Sequence, residues 1–247
     1  VPEAPILVAY NREEPLDRIC PAPSIQSGKP RILASIDQHT GGTYLGMNQN
    51  GLFVGVIRRK KFDVPMNPRS RGTLAREMLK CNSAQQALDL GLEELESGQY
   101  GGANFCIADP DSGWVIHSNN ETNAVELDQG LCIVGKHDVN DSRDERSGMA
   151  QRLLTLQTLD SPVKFLAIAS KVLARTPTGP GRPGMVVKEK DYGTVSSTLI
   201  SLGKKPRDAI YQYSNGSPDV SKFEDYSPLL RDILSRGLRE SRSKAEA

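Results

Sequence analysis

The chain has 247 residues, enough to bury most of its apolar surface without disulfide staples. With 31 Lys+Arg against 30 Asp+Glu the formal net charge is +1, which argues against a general nucleic-acid or polyanion binder. No stretch approaches the roughly 20 apolar residues of a membrane span.

The elements are read in chain order from hydrophobic period, caps and turn residues. Residues 5–10 read as an apolar strand that stops at Asn11, where four polar residues (Asn11, Arg12, Glu13, Glu14) precede Pro15. Residues 31–36 form a second strand. Residues 44–47 and 52–57 flank Asn50-Gly51, a strong hairpin signal. Two helices follow, one over residues 73–79 and one opened by the capping box Ser83-Ala84-Gln85-Gln86 and running to about residue 96.

A second strand group covers residues 103–108, 114–119, 123–127 and 131–134. Residues 144–157 are expected to be helical, and Ser161-Pro162 opens another helix to about residue 175. Residues 176–184 form a loop with three Pro and three Gly. Strands over 194–203 and 208–214 come next, then a helix from Ser227 carrying Leu229, Leu230, Ile233 and Leu234. The polar tail over residues 239–247 is expected to be disordered, leaving one domain over 1–238. Hairpins in two groups with helices between them favour an α+β fold over a parallel βαβ array.

The four cysteines (Cys20, Cys81, Cys106, Cys132) lie far apart with no C-x-x-C, and read as thiols in a reducing, cytoplasmic compartment. With three His and no His/Cys cluster, no metal site is expected. No G-x-G-x-x-G or phosphate-loop pattern occurs, and no cofactor is expected. The chain begins at Val1 inside what reads as an ongoing strand, which suggests a start lying further upstream.

Four pieces occur in order: "AYNREE" at 9–14, "GGTYLGMNQNGL" at 41–52, "RSRGTLAREML" at 69–79 and "DYGTVSSTLISL" at 191–202. Together they resemble the NRDE family, the transport and Golgi organisation 2-like proteins, named for an Asn-Arg-Asp-Glu run after the first strand. The resemblance implies the N-terminal-nucleophile hydrolase fold, a four-layer αββα sandwich of two stacked antiparallel sheets flanked by helices. It implies hydrolysis or acyl transfer at C–N bonds other than peptide bonds. The nucleophile in that clan is an N-terminal Cys, Ser or Thr whose own amine acts as base.

The departures from the pattern shape the site expectations. No Cys, Ser or Thr stands at position 1, so the expected nucleophile is absent from this chain. Glu13 stands where the family has Asp, Tyr44 where it has Trp, and Val195 where a basic residue is common. The resemblance makes Arg12 and Glu13 the candidate catalytic pair. Arg12 would fix a substrate carboxylate or the nucleophile's surroundings; Glu13 would hold an N-terminal amine or anchor Arg12. Taken without the resemblance, the same residues read as a charged turn with a local ion pair.

Asn11, Gly42, Thr43, Arg58 and Lys136 are the candidate substrate-binding residues. Gly42-Thr43 reads either as a tight turn into the hairpin or as pocket-lining backbone. By spacing, Arg58 and Lys136 fall where relatives carry two Asn that help to bind an oxyanion, and cationic side chains can still donate there. Arg58-Arg59-Lys60-Lys61 reads as a solvated charge run at a strand end, or, with Arg69, Arg71 and Arg76, as an anion pocket. Two functions follow. One is a hydrolase or acyltransferase for a small-molecule amide or acyl compound. The other is a non-catalytic carrier of a lipid-like, acyl-CoA-like or haem-like ligand. Neither involves nucleic acid, and the oligomeric state is left open.

Overall fold

In a computed structural model, residues 1, 3–18, 20–141, 143–179 and 182–245 are described. In chain order the elements are β1 (Ile6–Pro15), β2 (Ser24–Gln26), β3 (Ile32–Ala34), β4 (Leu45–Asn48), β5 (Phe53–Arg58), α1 (Arg71–Met78), α2 (Ala84–Glu96), β6 (Ala103–Ala108), β7 (Gly113–Ser118) and β8 (Thr122–Glu126). Then come α3 (Glu145–Thr155), α4 (Pro162–Leu173), β9 (Tyr192–Leu202), β10 (Ile210–Ser214), β11 (Glu224–Asp225) and α5 (Ser227–Ala245). The fold is α+β, with both sheets antiparallel throughout. Tertiary contacts gather the chain into two compact units, each made of two separated segments. One unit holds Val1–Ala22 and Ser142–Arg231; the other holds Pro23–Asp141 and Asp232–Ala247.

The first unit carries the sheet β1-β9-β10-β11. Its central strand β9 pairs with β1 from Ile6↔Leu202 to Pro15↔Tyr192. Helix α4 packs on β1 and β9, and α3 packs on α4. Ser161 caps α4 by accepting the Lys164 N–H, and Pro162 occupies the first turn, where no N–H is needed. Phe165, Leu166, Ala169, Val172 and Leu173 recur at helical spacing and are buried.

The second unit carries the sheet β2-β3-β4-β5-β6-β7-β8. Ile32, Ala34, Leu52, Val54, Ala103, Phe105, Ile107 and Ile116 form a core with the apolar faces of α1 and α2. Both helices start at a serine cap: Ser70 accepts from Thr73 N–H and Ser83 from Gln86 N–H. Gly91 brings α2 close to the sheet, since a Cβ there would lie 2.7 Å from Ile116 Cδ1. The β4–β5 hairpin turns as its sequence requires. Asn48 Oδ1 accepts from Asn50 and Leu52 N–H, and Gly51 adopts φ +86°. Asn48 Nδ2 then donates to the Leu79 and Cys81 carbonyls, tying the hairpin to the end of α1.

Three sequence expectations change. β1 does not stop at Asn11 but runs on to Pro15, because Asn11 to Pro15 continue the ladder with β9. Residues 131–134 belong to neither sheet; Ile133 instead exchanges hydrogen bonds with Asn140, whose backbone sits at φ +58°. The chain beyond Arg239, expected to be disordered, is helical to Ala245. Gly237 lies against the Gln49 backbone, and Glu240 bridges Arg31 at 2.8 Å and Gln49 at 2.8 Å, so the polar last turns have partners. Among the described residues no helix is long and apolar enough to cross a membrane.

Candidate functional site

Successive side chains of a strand point to opposite faces, and this divides the run Asn11-Arg12-Glu13-Glu14 in two. Asn11 and Glu13 face the helix side of the first unit. Asn11 Nδ2 donates to the carbonyls of Leu173 (3.0 Å) and Met185 (3.2 Å), and its Oδ1 accepts from Ser197 Oγ at 2.8 Å. Glu13 pairs with Arg146 of α3, which also donates to the Gly184 and Met185 carbonyls. Both side chains therefore hold α3, α4 and the 184–185 segment against β1.

Arg12 and Glu14 face the other way. Arg12 is 3% exposed, and its Nη2 lies 3.4 Å from Glu14 Oε1. Glu14 also accepts from Arg18 at 3.1 Å, so one carboxylate serves two guanidinium groups. A bulge sits beside this pair: Arg12 opposes Ser196, Glu13 opposes Thr194, and Val195 is the extra residue. The bulge turns Thr194 to the helix side, where its Oγ1 accepts from Val187 N–H. It leaves Ser196 and Thr198 on the Arg12 face.

The cross-strand register fills in that face. Thr198 lies between Tyr10 and Tyr213, and Ser196 lies beside Arg12. Ser196, Thr198 and Tyr213 are buried. Thr198 Oγ1 has no hydrogen-bond partner among the described residues. A buried hydroxyl without a partner costs about 1–3 kcal/mol, and a bound polar group would remove that cost. A buried guanidinium with hydroxyls around it is suited to a carboxylate or a developing oxyanion. Ser196 and Thr198 are absent from the sequence-based candidates. Their signal is the three consecutive hydroxyl residues Ser196-Ser197-Thr198 inside a strand.

The remaining candidates lie in the second unit. A Cβ on Gly42 would fall 2.3 Å from the Gly72 carbonyl carbon, so this glycine lets the start of α1 close on the chain. Thr43 is buried, donates to the Ser35 carbonyl at 2.8 Å and accepts from Leu45 N–H, while its own N–H bonds Gly72 O. These contacts hold the turn into the hairpin against the start of α1.

Arg58 and Lys136 are both exposed. Arg58 ends β5 on the face of Val54 and Val56, the face that α1 and α2 cover. The next residue, Arg59, takes the opposite face with Asn104 and His117. Arg59 Nη1 donates to Asn104 Oδ1 (3.3 Å), and its Nη2 pairs with Asp138 at 2.7 Å. Asn104 Nδ2 clamps the carbonyls of Gly135 and His137, on either side of Lys136. His117 Nε2 accepts from Val139 N–H, so the ring proton is on Nδ1 and is donated to Asn104 Oδ1 at 2.9 Å. Burial pushes the His117 pKa below its ordinary value, with Asp138 opposing and Arg59 assisting. Arg59, one place along the chain from Arg58, is the cation that meets Asn104.

A cleft of about 470 Å³ lies between α3 and the segment after α4, with Glu145, Arg152, Arg175 and Arg182 among its lining residues. It lies among the helices that pack on the Glu13 side of β1. Burial pushes the thiols of Cys81, Cys106 and Cys132 up, Cys106 to about 12, which makes them poor nucleophiles. Among the described residues, no group of three His, Cys, Asp or Glu side chains could hold a metal.

A search of curated proteins matches none of them. Among solved structures, the chain is similar to the Caenorhabditis elegans ortholog of N-acylethanolamine-hydrolyzing acid amidase, at TM-score 0.53 and 15% identity, covering 93% of this chain and 94% of that one. It is also similar to penicillin V acylase from Agrobacterium tumefaciens, at TM-score 0.49, 14% identity and coverage of 90% and 78%. A variant of conjugated bile acid hydrolase from Clostridium perfringens gives 0.45, 13%, 91% and 92%. The first likeness shows the fold, the N-terminal-nucleophile hydrolase class expected from the sequence. The sequence profile described as Transport and Golgi organisation 2 matches residues 1–212, and the chain belongs to that family.

Proposed function

We propose that the Arg12 face of β1 receives a small-molecule amide or acyl compound, and that the protein hydrolyses or transfers the acyl group at a C–N bond other than a peptide bond. The observation that carries this reading is the buried Arg12, set beside Ser196 and the unpartnered Thr198 hydroxyl. Burying a guanidinium costs several kcal/mol unless it is paired and hydrogen-bonded. Glu14 supplies one partner here and is shared with Arg18. The planar fork of donors is the geometry that grips a substrate carboxylate or an oxyanion.

The chemistry requires a Cys, Ser or Thr ahead of β1, with a free α-amine to take its proton. Arg12 then orients the acyl compound, and Thr198 donates to its oxygen. The structural neighbour described as hydrolysing N-acylethanolamines makes an N-acyl compound the first substrate class to try. A cytoplasmic setting fits the free thiols of Cys81, Cys106 and Cys132.

One observation favours the carrier reading: Asn11 and Glu13, two polar residues of the Asn-Arg-Glu-Glu run, are committed to holding helices rather than to lining a site. The two readings separate in one experiment. Protein from its native host is analysed by intact mass and N-terminal sequencing, then assayed on N-acyl compounds as wild type, Arg12→Lys and Arg12→Met. A free N-terminal nucleophile, with turnover that falls at least about 100-fold in Arg12→Met, supports the hydrolase. Absence of such a residue rules the mechanism out. Binding of an acyl-CoA-like or haem-like ligand without turnover then supports the carrier.

A further inference from the structure

The connection between β5 and α1, residues 59–70, exposes large apolar side chains that water would rather see buried. Three of its basic side chains are bonded back onto their surroundings. Arg59 pairs with Asp138 and its N–H bonds Gly102 O; Lys61 Nζ donates to Tyr100 O at 3.1 Å. Arg69 pairs with Glu94. Phe62 N–H donates to Asn120 Oδ1 at 3.2 Å, which fixes the backbone under the tip. The apolar side chains point outward instead: Phe62 is 75% exposed, Val64 47% and Met66 96%. Water favours the opposite arrangement.

The charge around the tip is one-sided. Residues 58–71 contain six Lys or Arg and a single acidic residue, Asp63, although the whole chain is near neutrality. Arg58 and Lys60 are exposed, and Lys60 Nζ lies 4.7 Å from the centre of the Phe62 ring. Three protruding apolar side chains are far too few for a stable protein interface, which buries roughly 800 Å² on each partner. They suit a surface into which each one can insert separately, and the flanking cations specify its sign.

We propose that this loop docks the protein on an anionic phospholipid membrane surface, with Phe62, Val64 and Met66 entering the headgroup–acyl boundary and Arg58 and Lys60 facing the lipid phosphates. Apolar burial together with cation–lipid attraction is the general basis of interfacial anchoring. The stapled base of the loop presents the three side chains without first having to be ordered, so the entropy cost of docking is small. The proposal concerns where the protein sits and is independent of what it turns over or carries.

The test is cosedimentation of the whole protein with phosphatidylcholine vesicles, with and without phosphatidylserine. Partition onto the serine-lipid vesicles is expected, weakening as salt is raised. Phe62→Ser/Met66→Ser should lower it about tenfold or more, and Arg58→Glu/Lys60→Glu should abolish the preference for anionic lipid. All four positions are exposed, so unchanged thermal melting provides the folding control. A Phe62→Trp variant should show a blue-shifted emission with anionic vesicles. No partition onto anionic vesicles, or partition indifferent to both double variants, would overturn the proposal. So would variants that alter ligand turnover or binding while leaving vesicle partition unchanged.

Discussion

Arg12 and Glu13 are neighbours in the chain but point to opposite faces of β1: Arg12 pairs with Glu14, and Glu13 with Arg146 of α3. The family has Asp where Glu13 stands; the longer arm reaches the helix layer. Glu13→Gln should therefore destabilise the fold by about 1.5–3 kcal/mol, the usual range for a hydrogen bond to a charged group. Glu13→Asp should fall between the two. A double-mutant cycle with Arg146→Met in urea denaturation measures the pair itself, and a coupling energy near zero would refute the assignment.

Asn11 uses both amide hydrogens and its carbonyl oxygen within the first unit. Its replacement by Ala should cost about 3 kcal/mol, at roughly 1 kcal/mol for each of the bonds. The denaturation midpoint is expected to fall with an unchanged m-value. A stable Asn11→Ala variant that has lost ligand affinity would show instead that the side chain serves the ligand.

Gly42 and Gly72 meet where α1 begins. Gly42→Ala would place a Cβ 2.3 Å from a backbone carbon, which no side-chain adjustment relieves, so a loss of about 3 kcal/mol or more is expected. Gly98→Ala provides the comparison. It has φ +72° and no neighbour within 4 Å, so only backbone strain of about 1 kcal/mol applies. Thermal melting of the two variants distinguishes overlap from strain.

His117 should make stability depend on pH. Burial holds its folded pKa below the ordinary 6.5, so as pH falls the unfolded chain takes up the proton first. The stabilising contribution is complete above that ordinary value and is lost as pH falls through the folded pKa. Protonation of Nε2 also breaks its bond from Val139 N–H. Urea midpoints measured from about pH 7.5 down to about pH 5 should fall more steeply for wild type than for His117→Gln. Equal slopes would remove His117 as the cause.

Local chemistry made much of the fold legible. Ser83, Asp144 and Ser161 are each followed by helical periodicity, and each proves to be a helix cap, because capping needs only neighbours three residues away. Asn50-Gly51 marks the hairpin for the same reason. Residues 131–134 look like a strand in the sequence because apolar content says nothing about whether a partner edge is available. The last helix outruns its apolar stripe because Arg31 and Gln49, about 200 residues away, receive Glu240.

The candidate site was only half readable. The sequence by itself supplied the family, the fold class and the Asn-Arg-Glu-Glu run. Tertiary structure alone decided which way each of those side chains points. A strand alternates with period two, so four consecutive polar residues give no sign of which face is which, and a slip of one place reverses the answer. That is why Arg12 parts from Glu13, why Arg59 rather than Arg58 turns toward Asn104, and why Thr198 joins Arg12 only once β9 is laid beside β1.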